Sequence, residues 1–169
     1  MSKTLAATRI EILPVRTADE IAAVRDLFLE YAKSLSFSLC FQDFDRELAE
    51  LPGGYAPPGG RLYLALVDGE AAGCIGLRPL QADVSGDGRC EMKRLYLRSK
   101  YRGLGLGRRM AQLIVAEARG IGYECLVLDT LPTMDEARAL YASLGFREIP
   151  AYYHNPIPGT LYAELDLTR

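Results

Sequence analysis

The stretch from Cys90 to Asp129 constrains the fold most. It opens on CEMKRLYL (Cys90–Leu97), a strand pattern, and closes on CLVLD (Cys125–Asp129), a buried-strand pattern. Between them, YRGLGLGRRM (Tyr101–Met110) sets three glycines in alternate positions. A helical repeat begins inside that segment: Leu106, Met110, Leu113, Ile114, Glu117 and Ile121 fall on one mostly apolar face, running to about Ile121. Two local rules are broken there. Glycine is a poor helix former, and arginine carries the wrong charge for a helix start, where each cation costs a few tenths to ~1 kcal/mol. Such a conflict in an otherwise consistent pattern points to a site.

The rest of the chain supplies a sheet for this unit. RIEILPV (Arg9–Val15) alternates as a first strand, with Pro14 marking its end or an edge. Thr17 and Asp19 precede a helix whose apolar face holds Ile21, Val24, Leu27, Phe28 and Tyr31. Ser34–Phe44 gives mixed signals, Asp45–Leu51 fits a short helix, and PGGYAPPGG (Pro52–Gly60) is a loop. Arg61–Val67 and Ala71–Leu77 flank an Asp68-Gly69 hairpin turn. Thr133–Leu144 fits a helix with a Thr133/Glu136 capping box and a stop at Gly145. Strands near Glu148–Tyr153 and Leu161–Leu167 complete the chain. The expected fold is α/β (α+β): a mixed, mostly antiparallel sheet of about six or seven strands flanked by about four helices, in one domain over residues 1–169.

Composition excludes several classes. The 169 residues are 49% apolar and 25% charged with a net charge of −2, which fits a globular protein and argues against bulk nucleic-acid binding. No apolar run is long enough to span a bilayer, and the first residues lack a signal-peptide core. Cys40, Cys74, Cys90 and Cys125 form no C-x-x-C, and His154 is the only histidine, so no metal site is expected. Four reduced, mostly buried thiols fit a cytoplasmic protein. DVSGDG (Asp83–Gly88) resembles half a calcium loop, but its twelfth position is Arg94 instead of glutamate, so a polar turn is expected. No G-x-S-x-G is present, and His154 reads as a loop residue.

The glycines fail two phosphate motifs. A Walker loop lacks its G-K-[ST], and a dinucleotide fingerprint would need glycine where Arg108 stands. What remains is Arg102-x-x-Gly105-x-Gly107 between a strand and a helix. Unpaired amides at a helix start bind anions, and glycines let a phosphate approach. Seven basic residues lie between Lys93 and Arg109, and no acidic residue lies between Glu91 and Glu117. An anion site explains both anomalies; the alternative is a solvated basic face around a tight turn.

With these residues the chain resembles the GNAT superfamily of N-acetyltransferases, whose signature Gln/Arg-x-x-Gly-x-Gly/Ala is matched by Arg102, Gly105 and Gly107. The similarity continues through CLVLDT and EARALYASLGF and covers Arg61–Phe146 best. The resemblance implies a GNAT-like acyl-CoA N-acyltransferase fold and acetyl-CoA as co-substrate. The pyrophosphate would lie on the amides of Arg102, Gly103, Leu104, Gly105, Leu106, Gly107 and Arg108. The pantetheine arm would run along Leu95, Tyr96 and Leu97, on a strand that splays from its neighbour. The family's CoA-contacting asparagine is Met134 here.

Acetyl transfer to an amine needs a base, donors for the oxyanion and a proton for the leaving thiolate. Glu91 is the candidate base. By period two it shares a face with Leu95 and Leu97; the alternative is a structural carboxylate paired with Lys93 or Arg94, of which Lys93 shares that face. Tyr141, on an apolar face with Ala137, Leu140 and Leu144, is the candidate acid, and the resemblance puts its hydroxyl near the CoA sulfur; the alternative is a core tyrosine. The acceptor pocket is expected between Ser34–Phe44 and Pro150–Gly159, both aromatic-rich. It suits a small amine or amino-acid-like molecule, with a protein amine as the alternative. A non-catalytic acyl-CoA-binding module and a nucleotide-binding domain are the competing classes. The sequence leaves a homodimer open.

Overall fold

The computed structural model describes residues 7–80 and 88–169, so the calcium-like loop lies, except for Gly88, outside the described residues. Seven strands form one sheet: β1 (Ile10–Pro14), β2 (Arg61–Val67), β3 (Glu70–Pro79), β4 (Arg89–Leu97), β5 (Cys125–Thr130), β6 (Arg147–Ile149) and β7 (Leu161–Asp166). Their order is β1-β2-β3-β4-β5-β7-β6. All neighbours are antiparallel except β4 and β5, which the connecting helix forces to be parallel. Among the described residues, four α-helices accompany the sheet: α1 (Ala18–Ser34), α2 (Phe44–Glu50), α3 (Leu106–Ile121) and α4 (Asp135–Ser143). The expected mixed, mostly antiparallel α/β architecture is the one observed.

Alternating side chains divide the core into two layers. Leu62, Leu64 and Cys74 face Val24, Leu27 and Phe28 of α1, with Phe44 of α2 beside them. Tyr63, Ala65, Ile75 and Leu77 face Leu106, Met110 and Ile114 of α3, and Leu140 and Tyr141 of α4, with Leu144 just beyond its end, pack on that same layer. Helix α1 starts where the sequence predicts: Thr17 accepts from the Glu20 amide at 3.2 Å, and Glu20 accepts from the Thr17 amide at 2.9 Å. Asp68 and Gly69 both have positive φ, as a two-residue hairpin turn of mirror-image type requires.

Three local expectations are corrected. Helix α4 begins at Asp135 and the Thr133/Glu136 capping box does not form; a turn closed by Met134 N–H to the Leu131 carbonyl holds Thr133, and Met134 takes the cap position without a side-chain bond. Strand β6 ends at Ile149 because Pro150 has no N–H for the ladder, which leaves Tyr152 and Tyr153 on a loop. Cys40 is exposed, unlike buried Cys74 and Cys90.

The most consequential departure is in β4. Cys74 pairs with Tyr96, but Gly76 pairs with Lys93, so Arg94 and Leu95 together oppose Ile75. Arg94 takes φ 60°, in the left-handed region. This β-bulge reverses the alternation beyond it. Lys93 and Arg94 both point to the α1–α2 side, whereas Leu95 and Leu97 turn to the α3 side. The period-two expectation that Glu91 shares a face with Leu95 and Leu97 is therefore overturned.

Candidate active site

The glycine turn has the form the sequence predicts. Gly103 and Gly105 have φ of 81° and 75°, a region that side chains with a Cβ rarely occupy. Gly105 caps α3 without a side-chain hydrogen bond. Helical backbone bonding begins with the Arg109 amide to the Gly105 carbonyl at 3.1 Å, and among the described residues the amides from Gly103 to Arg108 have no protein acceptor. Arg102 donates to the Leu97 carbonyl at 3.1 Å, tying the turn to the end of β4. Of the seven basic residues, four are neutralised: Lys93 by Asp129, Arg94 by Glu47, Arg98 by Glu30 and Lys100 by Glu70. Arg102, Arg108 and Arg109 have no carboxylate partner among the described residues. Free amides, a helix start and three unpaired guanidinium groups fit the phosphates of a cofactor such as CoA.

From this turn a fork leads inward. Strands β4 and β5 pair only over Arg89–Glu91 and Cys125–Val127. Beyond that point β4 stays on β3 and β5 stays on β7. The β4 edge from Met92 to Leu97 therefore has no strand partner on the fork side, and its backbone groups could bind an extended amide-bearing chain.

The fork opens into a cleft of about 660 Å³, counting its open mouth. Leu35, Phe37, Leu39 and Gln42 line one wall and Asn155 another, so the two segments expected to bound the acceptor do meet here. Tyr141 and Met134 line the far side, and Thr130 donates to the Met134 sulfur at 3.8 Å. The Tyr141 hydroxyl has no hydrogen-bond partner among the described residues. Desolvation, with lesser contributions from Tyr31 and Asp129, pushes its pKa up, so the phenol stays protonated near neutrality.

Glu91 does not line the cleft. It is 4% exposed, accepts from Arg78 at 3.0 Å and takes the Tyr152 hydroxyl at 2.6 Å. Its counter-ion is thus Arg78 rather than Lys93 or Arg94. Arg78 also meets Glu47 at 3.1 Å, and Glu47 holds Arg94 at 2.8 Å. This alternating chain of charges, Glu91–Arg78–Glu47–Arg94, secures the bulge from behind. Arg94 also lies over the Phe44 ring, 5.2 Å from its centroid.

Three charged residues line the cleft, Lys93, Arg94 and Asp129; Glu47 pairs with Arg94, and the sequence reading did not single out the other two as functional. Lys93 Nζ lies 3.2 Å from Asp129 Oδ1 and 3.4 Å from Gln42 Oε1. Tyr153 donates to Asp129 Oδ2 at 2.5 Å and receives Gln42 and Asn155 amide groups at 3.0 Å. Burial acts to raise the Asp129 pKa, but the Lys93 charge and the Tyr153 and Lys93 hydrogen bonds outweigh it and hold the carboxyl below its usual value. A charge inside each of two apolar strand patterns was the signal that could have marked both. The exposed His154 lies outside this cleft.

The acetyltransferase (GNAT) family model matches residues 21–146. The chain belongs to the GNAT family of acetyltransferases. It is 38% identical over 163 residues to an uncharacterized N-acetyltransferase from Schizosaccharomyces pombe, covering 96% of this chain and 98% of that one. It is 31% identical over 103 residues to human N-acetylaspartate synthetase, covering 61% of this chain but 33% of that protein. The fold of yncA from Salmonella typhimurium, solved with its cofactor acetyl-CoA, superposes with a TM-score of 0.67 at 17% identity, covering 94% of each chain. The GNAT assignment makes this chain an N-acetyltransferase. No helix among the described residues is long and apolar enough to cross a membrane.

Proposed function

We propose that this GNAT enzyme transfers an acetyl group from acetyl-CoA directly to the primary amine of a small-molecule acceptor. The observation that carries the proposal is the continuous path from the bare amides of Gly103–Arg108, along the unpaired edge of β4, to Tyr141 in the cleft. The cofactor seen in yncA supports acetyl-CoA as the donor. The product named for the human relative supports an amino-acid-like acceptor.

Bound acetyl-CoA would supply an activated acyl thioester. The amides of Gly103–Arg108 and the side chains of Arg102, Arg108 and Arg109 would hold its phosphates. The edge at Leu95, Tyr96 and Leu97 would orient its arm, and Met134 would pack beside it. Tyr141 would donate to the departing sulfur. The desolvation that raises the phenol pKa also raises the thiolate's affinity for a proton, so transfer between them stays balanced. Glu91, held by Arg78 and Tyr152, would act at one remove by fixing Tyr152 and the β4 bulge.

Acetyl-CoA at a hundred times its Kd is expected to stabilise the fold by about 2.7 kcal/mol, a rise in Tm of about 5–10 °C for a chain of this size. Equal concentrations of ATP or NAD should give no rise. Stabilisation by either nucleotide but not by CoA would point to the nucleotide-binding alternative and defeat the proposal.

A further inference from the structure

Lys93 and Asp129 meet in the cleft without exhausting either charge. Each has a neutral partner of its own: Gln42 beside the ammonium and the Tyr153 hydroxyl on Asp129 Oδ2. Only Oδ1 faces Lys93, at 3.2 Å. Stability does not explain the pair, because apolar side chains of similar size would serve a buried position as well or better. Arg94 also lines the cleft, but its charge is met by Glu47, and Glu91, Arg78, Glu47 and Arg94 balance one another. The site therefore offers one cation and one anion and no excess charge.

We propose that Lys93 and Asp129 are the acceptor site, and that the acceptor is a zwitterion: an α-amino acid or similar molecule with one ammonium, one carboxylate and no further charge. This rests on the N-acetyltransferase reading above. The acceptor carboxylate replaces Asp129 against Lys93, whose four-carbon stem lets Nζ withdraw to make room. The acceptor ammonium replaces Lys93 against Asp129 Oδ1. Asp129 then takes one proton from the ammonium and passes it to solvent, which frees the nitrogen lone pair. That nitrogen attacks the thioester carbonyl; the C–N bond forms and the C–S bond breaks. Tyr141 protonates the CoA thiolate, and the second nitrogen proton restores Tyr141. Asp129 and Tyr141 line the same cleft, and the Asp129 charge already acts on the phenol.

The test compares L-amino acids with neutral side chains, the acidic and basic amino acids, and the matched amines lacking a carboxylate. The readouts are kcat/KM and calorimetric binding to the CoA-bound enzyme. The proposal expects each neutral amino acid to exceed its matched amine by at least 10-fold in kcat/KM. Lys93→Met should collapse that ratio at least 10-fold, mainly through KM and with parallel loss of calorimetric affinity; Lys93→Arg should retain most of it. Asp129→Asn should lower kcat. Faster turnover of carboxylate-free amines, or an equal loss on both members of each matched pair in Lys93→Met, overturns the proposal while leaving the acetyltransferase reading standing. If Lys93→Met fails to fold, the wild-type ratios decide. Absence of thiol release with every amine overturns both readings.

Discussion

Tyr141→Phe is expected to lower kcat about 100-fold, at the lower end of what general acid–base catalysis contributes, and to change KM little. The ring keeps its contact with Phe146, whose centroid is 5.8 Å away. The hydroxyl it loses has no hydrogen-bond partner among the described residues, so the melting temperature should move by about 1 °C at most by the size scaling of small effects. Loss of turnover without loss of stability separates an acid from a core tyrosine. A core tyrosine would give the reverse: a lower Tm and a kcat within twofold of wild type. Steady-state kinetics beside a thermal melt read both quantities from one preparation.

Glu47→Ala carries the largest expected effect on stability. The Glu47 side chain is 8% exposed and holds two guanidinium groups, Arg78 at 3.1 Å and Arg94 at 2.8 Å; the Arg94 side chain is 2% exposed. Desolvation acts to lower the Arg94 pKa, and the Glu47 charge and hydrogen bonds raise it overall. A guanidinium is effectively always protonated, so removing Glu47 leaves a buried charge without its partner. Breaking a buried pair from one side costs about 3–5 kcal/mol, and at 2–4 °C per kcal/mol that lowers Tm by about 6–20 °C. The paired control is Glu50→Ala, which removes an exposed ion pair with Arg46 at side-chain exposures of 55% and 69%. Exposed pairs contribute about 0–1 kcal/mol. Equal losses in denaturant melts of the two variants would contradict a structural role for the buried chain of charges. Glu47→Ala should also reduce activity, because Arg94 holds its left-handed backbone inside this network.

What could be read from sequence divides along the range of the interactions involved. The glycine turn was legible because positive φ at Gly103 and Gly105 is a local demand that glycine answers locally. The Thr17 cap, the Asp68-Gly69 hairpin and the apolar face of α3 were legible for the same reason. The bulge in β4 was not. Arg94 is not a residue that turns announce, and its side chain is held by Glu47, Phe44 and Tyr31, all remote in sequence. Missing it inverted the face assigned to Leu95 and Leu97. The basic run from Lys93 to Arg109 overstated the charge left for an anion, since Lys93, Arg94, Arg98 and Lys100 answer carboxylates 30 to 68 residues away. Only Arg102, Arg108 and Arg109 remain for an anion. The apolar face that carries Tyr141 was legible from helical periodicity, and its candidacy as the acid came from the family resemblance. Lys93 and Asp129 were visible as residues but not as a pair, because the fork that joins them exists only once β4 and β5 diverge.

The structure holds Glu91 outside the cleft, on Arg78 and Tyr152, and brings Lys93 and Asp129 together inside it. The central claim is direct acetyl transfer to a small amine. Its most direct test incubates the purified chain with acetyl-CoA and a set of small primary amines, following free thiol by absorbance and the amine by mass spectrometry. The account predicts thiol release that depends on the amine, with one N-acetylated small molecule formed for each CoA released. Thiol release without an acetylated amine, or acetylation confined to protein amines, would contradict it.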